Sequence, residues 1–375
     1  MKTRISGPDP NRRGFSLVEV LISVGVVSIG LFGVMALLPL AHHQAFVGSL
    51  QDRSNVAGRL AYKMAHIFEI DKPFRWVNQS GNRVVDNATL MGVLTNPTLP
   101  RAAFCIDPLY IAHHEARAAA DKNANAYSFP YDGAGASSPR MPRITVSLGA
   151  AALGVPHAEE ICRGLDDLDF EGPVDPLLPA LQADVRHTAA SPAYWDGATG
   201  NLVKRRTTGR FSWMLTMAPE LGEETDLYTE SAVVFYNRNF NIDAEEFAFD
   251  VAINSIGAGG GEITLRTRGH AREKLEIRPG CWLMLAAALQ VRPPYAQGTP
   301  QPITHSYFRW YRVVNTAGDI LEPGGGVFAR EFTIVGPDWN VNALNQPQVA
   351  IVCPSAVAVF EKTTRLQTSS VWLPQ

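Results

Sequence analysis

The chain has 375 residues, 46% of them hydrophobic and 18% charged, enough apolar material for one large core or two ordinary ones, so disorder is not the default. Thirty-three basic against 36 acidic residues leave a net charge of -3, which argues against the basic footprint of a nucleic-acid binder. The four cysteines, Cys105, Cys162, Cys281 and Cys353, form no CxxC pair for zinc or redox chemistry; in an exported body they allow one or two disulfides, with three full pairings open.

The first element is the least ordinary. From Phe15 to Leu38 there are 24 residues with Glu19 as the only charge. A helix of that length measures roughly 36 Å and spans a bilayer. Lys2, Arg4, Arg12 and Arg13 precede it and the next Lys or Arg is Arg53, so the positive-inside bias keeps the N-terminus cytoplasmic and exports the rest. The run is long for a secretory signal and offers only a poor cleavage site near Pro39 and Ala41. An acid at a helix centre costs about 2.5–3.5 kcal/mol on insertion scales and marks a functional position that needs a cationic partner. A cut between Gly14 and Phe15 would create that partner, an α-amine with pKa near 8, four residues before Glu19.

The stretch "GFSLVEVLISVGVVSIGLFGVMALLPLA" from Gly14 onward resembles the N-terminal segment of type IV prepilins and of type II secretion pseudopilins: Gly, Phe, a small polar residue, Leu, an aliphatic residue and Glu. The resemblance covers about the first 30 to 60 residues. It implies that a membrane prepilin peptidase cuts after Gly14 and methylates the new amine of Phe15. It also implies that Glu19, then fifth in the mature chain, acts in filament assembly beside the α-ammonium of a neighbouring subunit, or within its own. "VVSIGLFGV" over residues 26–34 resembles minor subunits more than major ones, and Gly25, Gly30 and Gly33 give small surfaces for close helix approach.

Pro39 lacks an amide donor and is expected to kink or loosen the helix. Beyond it, Phe46, Leu50, Ala57, Leu60, Met64 and Ile67 recur at helical spacing, so the helix is expected to run to about Ile70 and to dock a globular head with that stripe. Between Asp71 and Arg206, Pro, Gly, Asn and Ala abound without period-2 alternation. The expectation is helical pieces in long loops, with short helices over 109–121 and 156–168 and a linker over 131–143. From Gly209 on, strands are expected at 211–218, 230–238, 246–254, 262–268, 281–289, 307–314, 330–336 and 356–366, with Gly- or Pro-rich turns between several of them. In 307–314, Phe308, Trp310 and Arg312 share one face, and Tyr307, Arg309 and Tyr311 the other. The fold class is therefore α+β: a leader over 1–14, a transmembrane and assembly helix over 15–70, a mixed helix and loop region over 71–206, and an antiparallel β-rich head over 207–375.

Other constellations carry less. The pairs His42-His43 and His113-His114 are sequence neighbours whose side chains diverge, which disfavours shared chelation. Asp121, Asn123, Asn125 and Asp132 are spaced loosely like a calcium loop, but Ala126 stands where the turn wants Gly and the last ligand is Asp rather than Glu. They are the candidates should the head bind calcium, as some pseudopilins do; no other metal and no cofactor is expected. The acidic run Asp166, Asp167, Asp169, Glu171 and Asp175 could also hold a cation, but reads first as a solvated loop. There is no GxSxG, HExxH or phosphate loop, so no catalytic residue and no enzyme activity is expected. Trp195, Trp213, Trp282, Trp310, Trp339 and Trp372 serve either core packing or a binding surface for cargo, carbohydrate or another cell.

The sequence thus describes a minor pilin or pseudopilin of a type IV pilus or type II secretion system. Its expected partners are prepilin peptidase, other pilin-type subunits, an inner-membrane assembly platform and secreted cargo, and not nucleic acid. It is expected to cross the inner membrane once, with its head outside the cytoplasm. The alternative is a signal-anchored extracytoplasmic binding protein or adhesin that never polymerises.

Overall fold

The computed structural model describes residues 16–78, 82–84, 102–117, 122, 127–131, 139–148, 151–152, 154–162, 168–170, 193–195, 202–207, 210–220, 227–240, 246–257, 259–291, 303–339 and 349–366. The chain is α+β, a long apolar helix followed by a β-rich head, and it divides into two compact units, Met1–Asp52 and Arg53–Gln375. Helix α1 (Leu17–Ile67) stays helical through Pro39, whose missing N–H removes one hydrogen bond without ending the helix. Its apolar window has a mean hydropathy of 2.5 and none of it is buried.

In the second unit, α1 docks through Ser54, Ala57, Gly58, Ala61 and Ala65, with Tyr62 and Met64 partly buried beside them. This corrects the expected stripe. Ala57 and Met64 belong to it, whereas Phe46 and Ile67 are exposed. The contact face is made of small residues at i, i+3 and i+4, which let the helix axis approach the sheet closely. Gly58 is the extreme case: a Cβ there would lie 2.1 Å from Cε2 of Phe360.

The stretch read as helix and loop supplies both expected helices, as α2 (Pro108–Glu115) and α3 (Val155–Cys162), but also strands. These are β1 (Trp76–Val77), β2 (Phe104–Ile106), β3 (Ser128–Phe129), β4 (Met141–Leu148) and β5 (Ala151–Ala152). Strands β6 (Leu168–Phe170), β7 (Ala193–Trp195) and β8 (Leu202–Thr207) form a separate sheet in the order β6-β8-β7. Then come β9 (Phe211–Pro219) and β10 (Leu227–Tyr236). The main sheet has the order β1-β4-β2-β9-β10-β17, where β17 is Ala356–Arg365, and β3 and β5 pair with β4. All its pairings are antiparallel except β2 with β4.

Between β10 and β17 the chain builds β11 (Phe247–Gly257), β12 (Gly260–Arg266), β13 (Trp282–Val291), β14 (Ile303–Gly324), β15 (Val327–Val335) and β16 (Val349–Val352). These six close into an antiparallel barrel in the order β11-β12-β15-β14-β13-β16. Because β10 and β17 are hydrogen-bonded neighbours, with Val233 opposite Val359, the barrel is inserted where a hairpin turn would otherwise join them. The 22-residue β14 serves two neighbours, pairing β13 with its first half and β15 with its second across register shifts. The β11–β12 turn requires glycine at Gly260, which has φ +138° and room for no Cβ beside the Ile334 carbonyl.

The cores form three layers within the head. Trp213, Leu215 and Met217 of β9, with Phe104, Ile106 and Trp76, face α1, α2 and α3. The alternate residues Met214 and Ala218, with Cys105, Val233 and Phe235, face Met284, Ala286, Phe308, Trp310 and Ile351 on the outside of the barrel. Leu283, Leu285, Tyr311, Val313, Phe332, Ile334 and Val352 fill the barrel itself. Strands β9, β13 and β16 are therefore largely buried on both faces because each is a middle layer, while β12 and β15 alternate because their outer face meets water.

No disulfide joins the four cysteines, contrary to the one or two allowed by their number. The layers explain it: Cys162 lies with the helices, Cys105 and Cys353 between sheet and barrel, and Cys281 beside the barrel core. Of the tryptophans offered as a binding surface, Trp213, Trp310 and Trp339 are buried and Trp282 is half-buried, so core packing accounts for them. The side chains of Trp195 and Trp372 lie outside the described residues.

Candidate functional site

The candidate site of the first unit is the start of α1. Gly14 and Phe15 lie outside the described residues. Ser16 precedes the helix and its carbonyl accepts the N–H of Val20 at 3.1 Å. Glu19 sits in the first turn, where the helix dipole favours an anion by about 0.3–1 kcal/mol. Its carbonyl accepts the hydroxyl of Ser23 at 2.7 Å, while its carboxylate is exposed among exposed Leu17, Val18, Val20 and Leu21. Among the described residues no cation lies against it.

The head contains a second polar centre, which sequence reasoning missed. Asp107 ends β2 and caps α2, accepting the N–H of Tyr110 at 3.3 Å. Its two carboxylate oxygens take Nη1 and Nη2 of Arg238 at 3.0 and 2.5 Å. Arg143 of β4 places Nη2 at 2.5 and 2.7 Å from the two oxygens of Glu246, one of which also accepts the N–H of Tyr131 at 2.9 Å. Arg143 further stacks on Tyr110, 3.7 Å from the ring centroid. All four charged groups are buried. Burial alone would raise the pKa of Asp107, but Arg238 and Arg143 overcome it and hold the carboxyl below its ordinary value. Two acids and two guanidinium groups thus cancel inside the protein, pinning the β2–α2 junction and β4 to both ends of the connection that leads into the barrel. Scattered at 107, 143, 238 and 246, these residues give no local sequence signal.

A third polar contact fixes α1 on the sheet. Tyr62 donates its hydroxyl to the Glu230 carbonyl at 3.1 Å, and Lys362 lies 3.0 Å from the fully buried Glu230 carboxylate and 4.4 Å from the Tyr62 ring. Burial pushes the Glu230 pKa up, against the pull of Lys362.

The histidine pairs do not assemble a metal site. His113 stacks on Phe240 at 4.3 Å and lies 3.4 Å from Glu159, whereas His114 is buried edge-on to Tyr127 beside Glu115. His42 and His43 are exposed on α1. Among the described residues no group of three or more His, Cys, Asp or Glu side chains converges on one point. The calcium candidates Asp121, Asn123, Asn125 and Asp132 lie outside the described residues, as do the side chains of the acidic run from Asp166 to Asp175. A cavity of about 370 Å³ opens at one end of the barrel, lined by charged side chains of the β12–β13 connection, β14 and β15.

Residues 9–35 match the family model described as the prokaryotic N-terminal methylation motif. No curated protein and no solved structure matches. The motif is one of structural rather than enzymatic proteins. The match and the exposed apolar helix, long enough to cross a membrane, make the N-terminal segment similar to those of type IV prepilin-like proteins.

Proposed function

We propose that the chain is a minor pilin or pseudopilin, cut by a prepilin peptidase after Gly14, N-methylated on Phe15 and built through α1 into a type IV pilus or type II secretion pseudopilus. One observation carries the reading: among the described residues, every exposed large hydrophobic side chain lies on α1 except Val314, Leu321 and Val335. An apolar helix of this kind is stable in lipid or among other such helices, and the described residues of the head offer no comparable surface. In this reading the N-terminus is cytoplasmic, the head lies outside the inner membrane, and an assembly platform there passes the subunit into the filament. Glu19 is the register pin. Within a water-poor helix bundle its carboxylate and the α-ammonium of Phe15, from a neighbouring subunit or its own, neutralise one another, because either charge alone is costly to bury. The large head suits a scarce or terminal position, where crowding by neighbours is low.

Intact mass and N-terminal sequencing of the membrane-extracted protein test this, beside a Gly14→Val variant. The expected wild-type product begins at methylated Phe15, and the valine variant stays uncut. A chain that keeps Met1, or one cut near Ala41, gives Glu19 no new amine and supports the signal-anchored binding protein instead. Glu19→Ala is expected to be cut normally and to be absent from sheared filaments.

A further inference from the structure

The cavity at the barrel end has the chemistry of a receptor for one kind of group. Its floor is apolar, made by Ile277, which belongs to the barrel core, and by half-buried Ile320. Its walls are held together by Arg330, whose Nη1 donates to the Leu275 carbonyl and Nη2 to the Gly318 carbonyl, both at 3.3 Å. This ties the β12–β13 connection to the bulge of β14. At the mouth stand Arg272 and Arg278, with Glu276 and Asp319 in the same lining. All four are exposed, and among the described residues none has an ion-pair partner within 4.0 Å. Opposite charges that share a cavity without neutralising each other are satisfied by water, which a guest of matching chemistry can displace.

The guest must bring an oxyanion for the guanidinium groups, N–H donors for the carboxylates and an aliphatic group for the isoleucines. We propose that this cavity binds the free C-terminal residue of an extended peptide. The terminal carboxylate meets Arg272 and Arg278, the main-chain N–H groups face Asp319 and Glu276, and an aliphatic last side chain rests on Ile277 and Ile320. Charge-assisted, paired N–H···O bonds from arginine suit a carboxylate, and capture of a chain end is a recurring mode of peptide recognition. The volume lies at the small end of the roughly 300–1,000 Å³ usual for ligand sites, which fits a chain end rather than a folded surface. No aromatic side chain lines the cavity to stack on a sugar ring.

The test uses the full chain in detergent micelles, and a pool of short, N-terminally labelled peptides of mixed sequence ending in leucine, prepared as free acids and as C-terminal amides. Fluorescence anisotropy is expected to show the acids binding at least about tenfold more tightly than the amides, a difference of about 1.4 kcal/mol. Arg272→Gln with Arg278→Gln is expected to abolish that difference while leaving the thermal melt unchanged, since both side chains are exposed. Equal binding of acids and amides, no saturable binding by either, or displacement of the acids by inorganic phosphate as readily as by unlabelled acid would each overturn the proposal. Binding is read on the uncut, unassembled chain, so a negative result leaves the processing and assembly reading standing.

Discussion

The seating of α1 on the head depends on one absent side chain, and the dependence can be read as a change of sign. In an isolated helix, replacing glycine by alanine stabilises by about 1 kcal/mol. At Gly58 the new methyl would lie 2.1 and 2.2 Å from Cε2 and Cδ2 of Phe360, well inside contact distance. Overpacking of this kind costs about 1–3 kcal/mol, because the ring or the helix must shift. Gly58→Ala is therefore expected to destabilise the head by up to about 2 kcal/mol, against its own helix propensity. In a Phe360→Ala background the obstacle is gone, and the same substitution is expected to stabilise by about 1 kcal/mol. Thermal melts of the full chain in detergent, followed by tryptophan fluorescence, give the four corners of this cycle; buried Trp76 and Trp213 share the core with the docked end of α1. If Gly58→Ala raised the melting temperature in both backgrounds, the close approach of helix and sheet would be refuted.

Arg143→Met is expected to cost about 3–5 kcal/mol in the same melts, because Glu246 keeps its burial but loses both guanidinium bonds. Glu230→Gln tests the opposite sign. The Glu230 pKa is raised in the folded state, so its contribution to stability is complete below 4.5, the ordinary value, and is lost as the pH climbs through the folded value. The variant should therefore gain on wild type between pH 4.5 and neutrality, and melting temperatures that diverge the other way would contradict the assignment. Thiol titration should count all four cysteines after denaturation without reductant, and in the native protein chiefly half-buried Cys281; a denatured count of two or none would show disulfides.

The strands from Phe211 onward were legible because their turns carry signals that act locally, such as Gly324 to Gly326 with positive φ at each position. Strand β16 was not. Val349–Val352 is four apolar residues with no alternation, since one face fills the barrel and the other packs on the sheet. Strands β2 and β4 were hidden for a related reason: three residues of β2 are buried on both faces, and its parallel pairing with β4 joins segments with no shared turn. The docking stripe of α1 is not legible in the sequence, because helical spacing there points to large apolar residues such as Phe46 and Ile67, which are exposed. The sheet instead selects Ala57, Gly58, Ala61 and Ala65, whose value lies in what they omit. The N-terminal segment was the reverse case. Gly14, Phe15 and Glu19 sit within six consecutive positions, and a short linear motif needs no fold to be recognised. The buried Asp107, Arg143, Arg238 and Glu246 cluster stands at the far extreme, because only tertiary structure brings those four positions together.

The insertion of the barrel between β10 and β17 bears on how the chain can carry a large head without adding open strand edges. Two adjacent antiparallel strands need only a tight turn, and separating them by a long segment costs loop-closure entropy that grows only slowly with length. What a long insertion risks is exposed strand edges, which invite pairing with other copies. The inserted segment removes that risk by closing on itself: each of its six strands has a neighbour on both sides, and one outer face is buried against the sheet. The ionic cluster then fixes where the insertion begins, through Arg238 on one side of the connection and Glu246 on the other. The head gains a cavity and a surface without gaining a sticky edge in its added part. Among the described residues the exposed large hydrophobic side chains lie on helix α1 apart from Val314, Leu321 and Val335, so in the proposed reading the residues that decide assembly and those that decide recognition occupy separate parts of the chain.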